Sequence, residues 1–143
     1  MRKLITVLVT VSLFLSACAN DNPFTDVEPG AISVTEVASA SYDGTLLRLV
    51  TASSIAEQED FPEAFRGPRE VEGQILITWC DPGSFSLSDS YSNGDTLFLT
   101  LLREDGSGRC SLWSVPRAQL AGVSGIVIQD IDEQTLEVGY VFP

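Results

Sequence analysis

Apolar residues lie along the chain in two textures. Leu4 to Leu15, LITVLVTVSLFL, is one unbroken apolar run of twelve residues behind the short segment Met1-Arg2-Lys3. From Ile32 onward, apolar positions alternate with polar ones or fall in short β-branched and aliphatic runs between turn residues. That is strand texture, because successive side chains of a strand point to opposite faces. ISVTEV and GTLLRLVT are two such runs, parted by Asp43-Gly44. VEGQILITWC places Val71, Gly73, Ile75, Ile77 and Trp79 on one face, and SFSLSDSY places Phe85, Leu87 and Tyr91 on one side. Asn93-Gly94 is a turn signal. DTLFLTLLR and RCSLWSV flank EDGSG, which predicts a hairpin around a Gly-rich loop, and the apolar LFLTLL predicts a central strand covered on both faces. SGIVIQD and TLEVGYVF predict a last hairpin through IDEQ, with Leu136, Val138, Tyr140 and Phe142 along one face.

One stretch departs from this texture. SSIAEQEDFPEAFRGP has helical character: Ser53 or Ser54 can cap it, and Glu57 stands where a capping box places its acid relative to Ser54. Pro62 limits it to one or two turns or an excursion loop. PRAQLA predicts a single turn started by Pro116. The sum is an all-β domain of about seven strands, a small antiparallel β-barrel or β-sandwich with one short helical excursion.

The N-terminal run does not fit that domain. A spanning helix needs about 20 residues, so twelve are too few. Basic residues before the run and small ones after it are the layout of a secretory signal. The run ends in Leu15-Ser16-Ala17-Cys18, which resembles the lipobox of bacterial lipoproteins at all four positions. The resemblance covers residues 1–18 only. It implies that residues 1–17 are a cleaved signal peptide and that the Cys18 thiol carries a diacylglyceryl group. Two chains anchor where one alone would hold marginally, at about 0.8 kcal/mol per buried CH₂. The family's sorting pattern, with Ala19 rather than Asp after the cysteine, implies the outer membrane in a Gram-negative cell and otherwise the outer face of the plasma membrane. Residues 18–30, rich in proline and acids, read as a lipidated cysteine and flexible tether, and residues 31–143 as a single domain.

Charge narrows the function classes. The whole chain is −12, and removal of Arg2 and Lys3 takes it to −14, with six arginines against twenty acids. Such a chain lacks the basic surface that phosphate backbones require, which argues against nucleic acid. It favours a protein partner with a basic face, held near the membrane by the lipid anchor; solvation of the surface is the simpler use of the same acids.

Catalytic candidates are few. There is no histidine, and the only lysine precedes Cys18, so the commonest general base and Schiff-base chemistry are absent. No cofactor fingerprint occurs, and GSG at Gly106–Gly108 is placed for a turn rather than for phosphate. Cys80 and Cys110 in an exported domain predict a disulfide, and without histidine two distant thiols do not complete a zinc site. Carboxylate pairs are the remaining chemistry. Glu57, Glu59, Asp60 and Glu63 cluster in the helical stretch, and Asp130, Asp132 and Glu133 at the last turn. They support an alternative reading as a glycosidase-like hydrolase, which needs two carboxyls across a cleft. Trp79, Trp113, Tyr91 and Tyr140 are either core or a binding patch. The favoured reading is a membrane-anchored binding or structural module of the cell envelope, with no catalytic residue, metal or cofactor.

Overall fold

The structure, a computed structural model, describes residues 29–141. The expected signal peptide, Cys18 and almost all of the expected tether lie outside the described residues.

Seven strands form one sheet: β1 (Gly30–Ala31), β2 (Thr35–Ser41), β3 (Arg48–Ala52), β4 (Gln74–Asn93), β5 (Thr96–Pro116), β6 (Gly125–Asp130) and β7 (Thr135–Tyr140). Its spine is the β4–β5 hairpin, strands of 20 and 21 residues joined through Gly94-Asp95, with Gly94 at φ 61°. The register slips twice along it. Between Gly83 and Ser84 the partner jumps from Ser107 to Glu104, leaving Asp105 and Gly106 unpaired; between Leu87 and Asp89, Ser88 is left unpaired. Such bulges bend and twist a ladder.

The bend divides the sheet into two half-sheets. In the first, β3 pairs with β4 over Leu76–Cys80, and β2 pairs with β5 over Arg109–Ser114. In the second, β1 pairs with β4 at Tyr91 and Ser92, β6 runs parallel to β5 over Thr96–Leu101, and β7 is antiparallel to β6. Their inner faces share one core. Ile75, Ile77, Trp79, Trp113 and Val115 come from the first half, and Leu97, Leu99, Leu101, Ile126 and Ile128 from the second. This is a sandwich-like all-β fold. It is not a closed barrel, because β3 and β7 approach without a backbone ladder. Thr51 Oγ1 donates to the Tyr140 carbonyl at 3.0 Å, and Gly139 lies so close to Leu49 that a Cβ there would meet Leu49 Cδ2 at 2.6 Å.

The excursion between β3 and β4 roofs the outer face of the first half-sheet. It holds two 3-10 turns, Ala56–Asp60 and Glu63–Phe65, on either side of Phe61-Pro62. Phe61 and Phe65 are buried against Ala52, Leu76, Cys80, Cys110 and Leu112. The buried Gln58 side chain fixes the loop's return, donating to the Arg69 carbonyl (2.8 Å) and accepting from its N–H (2.9 Å).

Four sequence expectations are corrected. EDGSG is no hairpin loop: DTLFLTLLR and RCSLWSV are one continuous strand, and the Gly-rich segment is the unpaired bulge where it bends. VEGQILITWC and SFSLSDSY are likewise one strand; Phe85 and Leu87 face the core, while the Ser88 bulge turns Tyr91 to the other face. LFLTLL is covered on one face only, since Leu97, Leu99 and Leu101 are fully buried but Leu102 is exposed. The last strand is bulged too. Leu136 is the unpaired residue and packs against the core, whereas Val138 and Tyr140 face solvent. Phe142 lies outside the described residues.

Cys80 and Cys110 are direct cross-strand partners, 4.0 Å apart at Cα, and form a disulfide within the roofed cluster. The bridge closes a 30-residue separation, for which chain entropy alone gives about 3–4 kcal/mol. The double variant C80A/C110A is expected to fold with a urea-unfolding free energy lower by about that amount. An unchanged midpoint would show that the bridge is idle.

Candidate functional site

The outer faces of the two half-sheets differ. The first is roofed by the excursion. The second carries a cross-strand row whose register runs Tyr91 on β4, Phe98 on β5, Val127 on β6 and Val138 on β7. None of these four belongs to either buried core. Tyr91 and Phe98 stack, with centroids 5.1 Å apart and planes at 10°. Buried Gln129, in the neighbouring row opposite Thr100, donates to the Tyr91 hydroxyl (3.3 Å) and to Thr100 Oγ1 (3.1 Å). Tyr140, opposite Gly125, extends the row's β7 end. Exposure rises towards that end, to 52% at Val138 and 64% at Tyr140.

The charge around this face is of one sign. Asp89, Asp95, Asp130, Asp132, Glu133 and Glu137 lie on the second half-sheet and its turns. Of the six arginines of the described residues, Arg103 is on the second half-sheet, one residue from the bend and opposite Phe85; the other five lie elsewhere: Arg48 on β3, Arg66 and Arg69 in the excursion, Arg109 on the first-half side of the bend, and Arg117 after β5. Two of the six are neutralised by acids of the bend and the first half, in the pairs Arg103–Asp81 (2.8 Å) and Arg109–Glu36 (2.6 Å). At the Tyr91 end of the row, a cavity of about 480 Å³ is lined by Pro29, Asp89, Tyr91 and Glu133 among others. Glu133 is held there at φ 59° by the IDEQ turn, in which Asp130 Oδ1 accepts from the N–H groups of Asp132 and Gln134, each at 2.9 Å.

Two further concavities carry mixed polar and apolar linings. A shallow cavity of about 740 Å³ beside the excursion brings Arg69 and Arg117 together with Glu70, Glu72, Ile55 and Val71. A slot of about 280 Å³ at the rim of the core holds Glu36, Arg109 and Ser111 in front of Phe85 and Trp113. In the slot Glu36 Oε1 accepts from Arg109 Nη2 (2.6 Å) and Ser111 Oγ (2.8 Å), so its charge is satisfied within the chain.

Among the sequence candidates, Cys18 lies outside the described residues, and Cys80 and Cys110 are bridged. Trp79 and Trp113 are core, whereas Tyr91 and Tyr140 are on the open face. The acids of the excursion are not drawn into a common cleft. Glu57 Oε2 accepts from Ser53 N–H (2.5 Å), Ser53 Oγ (3.0 Å) and Ser54 N–H (3.1 Å), the arrangement of a capping acid. Glu59 lines a separate cavity of about 500 Å³ opposite Arg66. Among the described residues, no group of three or more Cys, Asp or Glu side chains is placed to hold a metal ion. Phe98 and Val127 were not singled out by the sequence, and Val138 was read only as part of a strand face; alternation gives two faces to every strand but does not say which one a second layer covers. No protein family, no curated protein and no solved structure matches this chain.

The Ser53 N–H, followed by the other Ser53 and Ser54 donors, holds the Glu57 carboxyl below its ordinary value of 4.5, against a partial desolvation that raises it. A carboxyl depressed by folding stabilises the fold above its unfolded pKa and ceases to do so as pH falls through the folded one. Glu57→Gln should therefore be less stable than the parent at pH 7, and the difference should shrink as pH falls through and below 4.5. Denaturant titrations at several pH values measure this; a difference that grows on acidification contradicts it.

Proposed function

We propose that this protein is a lipid-anchored binding module of the cell envelope whose β-domain engages a partner with a basic face. The anchor reading is supported by Leu15-Ser16-Ala17-Cys18 at the end of a signal-like run, with the palmitate-type acylation, membrane attachment and envelope location that such a signal implies. The binding reading is carried by one observation: the open apolar row is surrounded by acids, and the one arginine of its half-sheet, Arg103, stands next to the bend with its charge taken by Asp81. A monomeric domain has no need to leave such a row in water, and an all-acidic surround attracts cations from beyond contact distance.

The competing hydrolase reading requires one carboxyl held protonated at working pH opposite an ionised one. Glu57, whose titration is displaced by the fold, is displaced the other way.

Two measurements test the proposal. Cys18→Ser should abolish incorporation of labelled fatty acid and leave unlipidated or uncleaved chain; label retained in the variant removes the anchor. For the partner, on-rates for an immobilised polycation such as poly-lysine should fall steeply as ionic strength rises about tenfold, because screening acts over ~8 Å at physiological salt. A flat on-rate removes charge from the mechanism.

A further inference from the structure

We infer that the row Tyr91–Phe98–Val127–Val138, extended by Tyr140, is the docking surface for a protein segment that presents apolar side chains between lysines or arginines. The inference rests on the proposed binding function and assigns it a place and a ligand chemistry.

The geometry sets what fits. Neighbouring strands lie about 4.8 Å apart, so four strands offer an apolar track of roughly 14 Å. That length accommodates about four residues of an extended segment, or the apolar stripe of two to three helical turns. The track is graded. At the β4 end, Tyr91 is braced by Phe98 and Gln129, so its ring is fixed before a ligand arrives. At the β7 end, Val138 and Tyr140 stand clear of the surface. A fixed aromatic in a half-buried position is the kind of residue that carries interface energy, because little side-chain freedom is lost on contact.

The charges select among occupants. The cavity of about 480 Å³ at the Tyr91 end is lined by Asp89, Glu133 and the aromatic Tyr91, a setting for a guanidinium or ammonium group that gains from carboxylates and an aromatic ring. A second copy of the chain fits poorly. Pairing this face with itself would oppose acids to acids, and the one arginine of the half-sheet, Arg103, is already paired with Asp81 next to the bend. An anionic lipid surface is repelled by the same field. A basic, apolar-bearing protein segment satisfies both the row and its rim.

The test uses the full lipidated chain in zwitterionic phosphatidylcholine nanodiscs, with empty nanodiscs as the background. Fluorescent nonapeptides of alternating Leu/Lys, Ser/Lys and Leu/Glu are titrated onto it. The Leu/Lys peptide should bind most tightly and the Leu/Glu peptide not at all. V138S/Y140S changes two exposed side chains, so an unchanged melting curve is expected; it should weaken the Leu/Lys peptide about tenfold or more and leave Ser/Lys untouched. D89N/E133Q should weaken both lysine peptides and flatten their salt dependence.

Equal affinity for Leu/Lys and Ser/Lys, or V138S/Y140S binding like the parent, overturns the docking surface but leaves a cationic partner standing. Failure of both lysine peptides to bind overturns the proposed function along with it. Concentration-dependent self-association abolished by V138S/Y140S would assign the face to a second copy instead. Adsorption to phosphatidylglycerol vesicles that V138S/Y140S removes would assign it to lipid. Either result overturns the inference.

Discussion

The structure depends on one long ladder that must bend. A straight hairpin of about 20 residues per strand would extend some 65 Å and bury nothing. Folding it over at Asp81–Ser84 and Glu104–Gly108 brings its two ends into one core, and the bend is chemically specified. Asp81 is almost fully buried, with side-chain exposure of 4%, and its two oxygens are both used. Oδ1 accepts from the Gly83 N–H at 2.9 Å, and Oδ2 accepts from Arg103 Nη2 at 2.8 Å. A buried carboxylate is tolerable only when paired and hydrogen-bonded, so this acid holds the bend because its partners exist only there. Pro82 is compatible with a strand at an irregularity, where no ladder N–H is required. Gly108 lets β5 press against the bend: a Cβ there would meet the carbonyls of Tyr42, Pro82 (3.0 Å) and Asp81 (3.1 Å). The disulfide pins the register immediately before the bend, where Cys80 faces Cys110 and Asp81 faces Arg109.

Single-residue bulges then decide what each face carries. Side chains alternate with period two, so one inserted residue exchanges the faces of everything beyond it. Ser88 does this on β4, sending Leu87 inward and Tyr91 outward; Leu136 does it on β7, itself turning to the core and leaving Val138 and Tyr140 in solvent. Val37 does it on β2, where Glu36 lies opposite Trp113 and its carboxylate reaches Arg109 and Ser111 at the rim of the core. An inward charge on an edge strand resists pairing with another chain. The bulges of β4 and β7 build the open row, and that of β2 shields the opposite edge.

What the sequence disclosed follows from this. Strand texture, the 3-10 excursion limited by Pro62, the last hairpin and the Cys80–Cys110 pair were legible because each rests on local chemistry: alternation, a ring that fixes φ, turn residues, or an even pair of cysteines behind a signal-like run. The continuity of β4 and β5 was not. Asp81-Pro82-Gly83 and Glu104-Asp105-Gly106-Ser107-Gly108 carry the residues of hairpin loops, and only tertiary contacts make them bends within strands. Face assignment failed beyond each bulge for the same reason. Tyr91 and Tyr140 were among the candidate binding aromatics, yet nothing local distinguishes them from Trp79 and Trp113, whose burial is decided by the second half-sheet.

The charge distribution and the open row are one solution to two opposed demands. An apolar row that ends on β7, where Val138 and Tyr140 stand in solvent, would normally invite association with a second copy, because exposed apolar side chains are adhesive. Acids on the surrounding turns suppress that contact, since any self-pairing brings like charges together in a region of lowered dielectric. Lysines would suppress it equally well, but the row is surrounded by carboxylates, and the one arginine of this half, Arg103, stands next to the bend paired with Asp81. Under the proposed binding function, the same sign would penalise copies of this chain and anionic headgroups while favouring a cationic partner, so that specificity would arise from repulsion as much as from attraction. The excursion completes the division. By roofing the first half-sheet with Phe61 and Phe65 it leaves the second as the one large sheet face open to solvent among the described residues.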